Sequence, residues 1–269
     1  MVGAYYMKDF IARCSQLGTL VELTKLTDKQ LETLNELIVK EKEKPLTKIQ
    51  ENTKNELQFK HEHPELMAGA KTLLNDWYAY KLGRDRENVF IKEAQKGIIM
   101  ESKGIEFLDE FLLGGVGLVK NERKESNRFI EGTCDVEYDD FTADIKLPWD
   151  SRTFYSKIVK EIDKDYIWQG KGYSILYNKP KCYLTYILLD TPVWAYLQAS
   201  FKGVRLETME FESTYEHIPD SERIFIIEIP VLESDEKQIN LAVSKAREYL
   251  EIHEALVKSK LGIVNQLWT

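Results

Sequence analysis

The residues with the most chemical consequence lie in EGTCDVEYDDFTADIKLPWD, residues 131–150. Asp135 and Asp144 frame a hairpin that turns at Asp139–Asp140, and Lys146 follows the second aspartate after one apolar residue. Strand side chains alternate faces, so Asp144 and Lys146 share one face while Phe141 and Ile145 take the other. With the turn at Asp139–Asp140, Asp135 and Asp144 come close in cross-strand register. Two adjacent carboxylates repel each other unless a cation lies between them. Oxygen ligation of this kind suits Mg2+ or Mn2+, with water and a substrate phosphate filling the remaining positions. An ammonium at Lys146 would orient a metal-bound water and offset charge on a phosphoryl transition state, the chemistry of phosphodiester hydrolysis. Taken alone, the Asp-x-Lys tripeptide is better explained by an exposed polar strand face.

Further polar residues flank the hairpin. Glu101 lies in KGIIMES on an amphipathic helix before it, where a carboxylate is a solvated charge or a ligand. Gln169 and Tyr173, in WQGKGY, are four residues apart and share a helix face. Gly170 and Gly172 are costly inside a helix, which points to a close backbone approach. Glu131 shares the face of Asp135, as a charged strand-end residue or a further member of the group.

The elements that must position these residues read as follows. TDKQLETLNELIVKEKEK has Thr27 as its N-cap and apolar Leu31, Leu34, Leu37 and Ile38 at helical spacing, and Pro45 interrupts it. A further helix starts near Pro64 and stops at Gly83. EAQKGIIMESKGIEFLDEFLLGG is amphipathic and ends at Gly114–Gly115. RFIEGTCDVEY and FTADIKL read as the paired strands, followed by one long helical stretch around KIVKEIDKDYIWQGKGYSILY. CYLTYILLD lacks alternation, as expected of a central strand buried on both faces. GVRLETMEF and RIFIIEIP read as two more strands, and a last helix runs from about Asp235 to Lys258 with Ile239, Leu241, Ala242, Ala246, Leu250 and Ile252 as its apolar positions. The order predicts an α/β core with a central mixed sheet flanked by helices. A helical N-terminal subdomain over residues 1–94 precedes a core over 95–269.

Composition narrows the function classes. At 269 residues, 43% of them hydrophobic and 30% charged, the chain can bury a substantial core. No apolar run approaches a membrane span, and MVGAYYMKDF lacks the order of a signal peptide, so a cytoplasmic setting without a membrane partner is expected. A net charge of −8 argues against coating nucleic acid by bulk electrostatics but leaves room for a local basic channel. Lys120, Arg123, Lys124 and Arg128 form a basic run, interrupted by Glu122 and Glu125, that suits phosphate positioning rather than base reading. Cys14, Cys134 and Cys182 are far apart and make no CxxC pair, so they are expected to be buried reduced thiols.

The order Gly97…Glu101, Gly132…Asp135, Asp144-Ile-Lys146 and Gln169…Tyr173 resembles the PD-(D/E)XK nuclease superfamily. The likeness is to its RecB-like and lambda-exonuclease-like branch, above all to nucleases encoded by bacteriophages. The segments Gly132–Asp135, Asp144–Lys146, Trp149, Thr153–Phe154, Asp165–Gln169 and Leu188–Pro192 carry it, over about 96–192, and RCSQLG near the start is similar to the opening of that phage family. The resemblance implies a restriction-endonuclease-like core. It implies Asp135, Asp144 and the Ile145 carbonyl as metal ligands, with Glu101 as another, directly or through water, where many relatives carry histidine. It implies Lys146 as the residue that positions or activates the attacking water, and Gln169 and Tyr173 as supports of the site that contact DNA near the scissile phosphate. Leu147-Pro148 stands where relatives often carry Thr-Ser, and cluster-binding cysteines are absent.

The expectation is a Mg2+- or Mn2+-dependent DNA nuclease, foremost an exonuclease in phage recombination, replication or DNA processing. A structure-selective endonuclease, a non-catalytic nucleic-acid-binding module and an interaction protein are the alternatives. A recombination or single-strand-binding partner would suit the helical N-terminal half; the oligomeric state stays open.

Overall fold

A computed structural model describes residues 9–82, 92–192 and 214–267 of the chain, the ends at 92–95 and 262–267 by their backbone alone. In chain order the elements are β1 (Ala12–Arg13), a 3-10 turn (Cys14–Gln16), α1 (Leu17–Leu20), α2 (Asp28–Glu43), α3 (Lys48–Glu62), α4 (Ala68–Lys81), α5 (Lys92–Leu108), β2 (Glu125–Ser126), β3 (Ile130–Gly132), β4 (Val136–Glu137), β5 (Phe141–Lys146), α6 (Ser151–Val159), α7 (Lys164–Leu176), β6 (Lys181–Ile187), β7 (Ile224–Pro230) and α8 (Glu233–Leu267). They form two compact units, one of residues 11–18, 92–192 and 214–239, the other of 9–10, 19–82 and 240–267. The helical unit thus takes in the last helix from Asn240 as well as the N-terminal helices.

In the helical unit, α2 and α3 start on matching capping boxes. The Thr27 hydroxyl accepts from the Gln30 amide while Gln30 Oε1 accepts from the Thr27 amide, and Thr47 and Gln50 do the same. Leu34, Leu37, Leu57, Leu74 and Tyr78 are buried, with Ala242, Val243, Ala246 and Leu250 of α8. Leu241 and Ile252, two of the apolar positions of the last helix, are 43% and 69% exposed. The second predicted helix begins at Ala68 rather than near Pro64.

In the other unit a four-stranded mixed sheet runs β4-β5-β6-β7, with β5 and β6 parallel and the outer pairs antiparallel. Alternation divides its two faces. Phe141, Ala143 and Ile145 of β5 pack with Ile187, Leu189 and the α5 residues Met100, Ile105 and Leu108. Cys182, Leu184 and Tyr186 of β6 pack with Phe154 of α6, Ile229 of β7 and, partly buried, Tyr166 and Ile167 of α7. The fold is therefore an α/β layer structure with a central mixed sheet, and β6 is central and buried as its composition predicts.

The strand read as continuous over RFIEGTCDVEY is broken. β3 belongs to a three-stranded sheet ordered β1-β3-β2, and only β4 pairs with β5. Close packing marks the end of β3, just before the break over 133–135. A Cβ on Gly132 would lie 2.8 Å from the Tyr173 ring and 2.9 Å from Cys14 Sγ. Asn121 then takes the partners that a continuous ladder would use, donating from Nδ2 to the Cys134 carbonyl at 3.1 Å and from its amide to the Asp135 carbonyl at 2.8 Å. The long helical stretch is likewise two helices, because Asp163 caps α7 through the Asp165 amide. The segment GVRLETMEF lies outside the described residues.

Gly170 and Gly172 meet the close approaches their positions imply. A Cβ on Gly170 would lie 3.1 Å from Cys182 Sγ, and one on Gly172 would lie 2.6 Å from Leu17 Cδ1. All three cysteines are reduced and buried, and burial raises each thiol above its usual pKa.

Candidate active site

The ladder between β4 and β5 pairs Val136 with Ala143, so one step further along it Asp135 stands opposite Asp144. The Asp135 amide donates to the Ala143 carbonyl at 3.1 Å, and Oδ2 of the same residue accepts the Ile145 amide at 2.6 Å. The side chain of Asp135 has replaced the neighbouring backbone here, at the point where β4 gives out. Burial, then the charge of Asp144, push the Asp135 carboxyl up to about 7, against the Ile145 amide and Lys146.

Asp144 is 2% exposed and projects from the face of β5 opposite Ile145, towards α7. Gln169 Nε2 donates to its Oδ1 at 3.4 Å, a long bond, and to the Tyr173 hydroxyl at 2.8 Å. Gln169 thus bridges Asp144 and Tyr173 as a donor to both, within one turn of helix. Asp144 Oδ2 lies 2.6 Å from Lys146 Nζ, yet it is buried without a hydrogen bond of acceptable angle. For Lys146, burial disfavours the ammonium, but the charges of Asp144 and Asp135 prevail and raise its pKa.

Asp135 and Lys146 open on a cavity of about 510 Å3 whose walls also include Glu101, Ile145, Trp149 and Tyr166, while Asp144 lies buried behind them. Glu101 Oε2 is held by Lys120 Nζ at 2.8 Å. Gln169 and Tyr173 are absent from the walls and stand beside Asp144 instead. Glu131 takes no part; its Oε2 pairs with Lys124 Nζ at 2.9 Å in the smaller sheet.

Among the described residues no group of three histidine, cysteine, aspartate or glutamate side chains is spaced to hold a metal. Two neighbouring carboxylates remain, Asp135 and Asp144, one with a buried oxygen lacking a hydrogen bond, and beside them a strand-end backbone carbonyl at Ile145. That set fits Mg2+ or Mn2+, which commonly take one or two carboxylates and complete their shell with water and phosphate.

The basic run is neutralised locally. Lys120 pairs with Glu101, Arg123 with Glu137 at 2.8 Å and Glu125 at 3.1 Å, and Lys124 with Glu131, while the Arg128 guanidinium lies 5.6 Å from the Phe129 ring centre. The structure brings none of Lys120, Arg123, Lys124 and Arg128 to the cavity wall; Lys120 comes nearest, through its pairing with Glu101.

Sequence reading missed several residues that build the site. Lys96 is fully buried, and its Nζ donates to the carbonyls of Leu189 at 2.7 Å, Pro148 at 2.8 Å and Trp149 at 3.0 Å, and to Thr191 Oγ1 at 3.2 Å. It fastens α5 to the segments that follow the parallel strands β5 and β6. Burial lowers its pKa to about 8 while Asp150 and Asp190 oppose the shift. Asn121 also went unread, and only its polar type in a basic segment marked it. Tyr166 and Lys157 line the cavity and had no spacing signal.

Comparison with known proteins places the fold. No family model matches the sequence, and no curated protein does. Among solved structures, a phage-related exonuclease from Haemophilus somnus 129PT superimposes with a TM-score of 0.67 at 20% identity, over 96% of this chain and 99% of that one. The alkaline exonuclease LHK-Exo from Laribacter hongkongensis gives a TM-score of 0.55 at 14% identity over 98% of each chain. Its complex with dAMP gives 0.53 at 13% identity, over 97% of this chain and 98% of that one. The chain shares the α/β fold of these exonuclease structures, with its central mixed sheet flanked by helices, along essentially its whole length.

Proposed function

We propose that this protein is a Mg2+- or Mn2+-dependent DNA nuclease, acting as an exonuclease on DNA ends in phage recombination, replication or DNA processing. The observation that carries the reading is the juxtaposition of Asp135 and Asp144 at one strand end, with Lys146 Nζ 2.6 Å from Asp144 in the wall of an open cavity. The fold shared with structures described as exonucleases supports the same class.

Asp135, Asp144 and the Ile145 carbonyl would hold the ion, with Glu101 joining directly or through water. When bound, such an ion lowers the pKa of water and offsets charge on the phosphoryl oxygens. Lys146 orients the attacking water and balances charge as the water oxygen bonds to phosphorus and the P–O3′ bond breaks; the water's proton passes to solvent and the leaving 3′-oxygen takes one from solvent, giving a 5′-phosphate and a 3′-hydroxyl. Gln169 and Tyr173 act through Asp144, fixing its rotamer. Lys120, Arg123, Lys124 and Arg128 contribute to phosphate positioning only by exchanging their present partners.

End-labelled linear DNA and covalently closed circular DNA, incubated with Mg2+ or Mn2+, discriminate the readings. Loss of linear DNA alone is the expected result. Cutting of circles would move the assignment to an endonuclease, and binding without cutting would replace it with a nucleic-acid-binding module.

A further inference from the structure

Lys157 differs from every residue of the basic run between Lys120 and Arg128. It lies on α6, half-buried, one turn after Thr153, and both line the cavity that holds Asp135 and Lys146. Lys120, Arg123 and Lys124 each hold a carboxylate, whereas Lys157 forms no ion pair with a described residue. Its contact is with an aromatic face: Nζ lies 5.8 Å from the Tyr166 ring centre.

The same ring serves a second ammonium. Lys146 Nζ lies 4.9 Å from the Tyr166 centre, so one side chain carries two cations. Lys146 has its counter-charge in Asp144, whereas Lys157 is paired with no carboxylate among the described residues, the cavity's own Glu101 and Asp135 included. A ring face attracts an ammonium and limits its motion without neutralising it. A lysine restrained in this way, beside a candidate hydrolytic centre, is preorganised for an anion.

We propose that Lys157, held on the Tyr166 ring, binds a backbone phosphate of the DNA strand adjacent to the scissile one, so that the strand runs along α6 rather than along residues 120–128. The inference rests on the nuclease reading, which supplies the anion. Trp149, in the same wall, offers an apolar surface against which the sugar or base of that nucleotide packs.

The test is the salt dependence of DNA affinity, measured on a Lys146→Ala background so that cutting does not disturb the equilibrium. Adding Lys157→Gln is expected to weaken binding of a short labelled duplex about tenfold at moderate salt. It should also lower the slope of log affinity against log salt by roughly 0.9, the share of one phosphate contact. Lys157→Arg should restore both, and Tyr166→Leu should weaken binding where Tyr166→Phe does not. An unchanged slope in Lys157→Gln, with wild-type cutting intact, overturns this inference and leaves the nuclease reading standing. If the wild type neither cuts nor binds DNA, both fall together.

Discussion

The Asp135 carboxylate accepts the backbone amide of Ile145 at 2.6 Å, which locks a candidate metal ligand to the strand that carries the other two. The bond runs across the end of the β4–β5 ladder, where Asp135 faces Asp144. Burial first and the like charge of Asp144 second raise the Asp135 carboxyl, against the Ile145 amide and the Lys146 ammonium. The scaffold therefore holds these carboxylates together at a cost in stability, as sites organised around a cation do.

Asp135→Asn and Asp135→Ala separate chemistry from scaffolding. An asparagine oxygen still accepts the Ile145 amide, so Asp135→Asn should fold with an unchanged melting temperature or a higher one. It should cut DNA at least about a hundredfold more slowly, the scale lost when one charge-stabilising group is removed. Asp135→Ala leaves the amide without its acceptor and should lose a further 1–3 kcal/mol or so of stability. Thermal melts beside hydrolysis assays distinguish the two.

Divalent ions should stabilise the folded protein. At about a hundred times its dissociation constant, Mg2+ or Mn2+ adds roughly 2.7 kcal/mol to a protein that binds it only when folded. Differential scanning calorimetry after chelation, then with Mn2+ restored, should show the shift in the wild type and its loss in Asp144→Asn. Equal shifts in both would detach Asp144 from the ion.

Lys96 gives the stability a particular pH dependence. Its folded pKa, about 8, lies below the 10.5 of an exposed lysine. Between these values the unfolded chain holds one more proton than the folded one, so this residue makes stability rise with pH across that window. Below pH 8 the buried ammonium imposes its full cost. Lys96→Met should abolish that part of the slope in urea denaturation at pH 8 to 10. It should also lower activity, because the ends of β5 and β6 lose the four bonds that join them to α5.

The glycines predict opposite outcomes. A Cβ on Gly172 would lie 2.6 Å from Leu17 and 2.9 Å from Cys14 Sγ, so Gly172→Ala should cost about 1–3 kcal/mol through overpacking. A Cβ on Gly97 meets nothing within 4 Å, so Gly97→Ala should leave folding unharmed or gain up to about 1 kcal/mol from helix propensity. Chemical denaturation of the two variants measures the contrast.

What could be read from the sequence was what depends on local pattern. Thr27 marked a cap, Gly114 a left-handed stop at φ 70°, and the apolar run of β6 a central strand. The opposition of Asp135 to Asp144 followed from the turn alone, even though the strand carrying Asp135 proved broken. The Thr47–Gln50 capping box was a signal of the same kind that went unread, and α3 with it. What escaped depends on distant partners. Nothing local tells Leu241 and Ile252 that no neighbour covers them, or shows that Arg123 and Lys124 meet Glu137 and Glu131. Lys96 reads as a solvated charge until the loops after β5 and β6 bring four acceptors to it.

The account stands most directly on Lys146. Single-turnover hydrolysis of a labelled linear duplex in Mn2+ should proceed in the wild type and fall by a hundredfold or about that in Lys146→Ala, with DNA binding retained. Equal rates in the two proteins would contradict the assignment of Asp135, Asp144 and Lys146 as the hydrolytic centre.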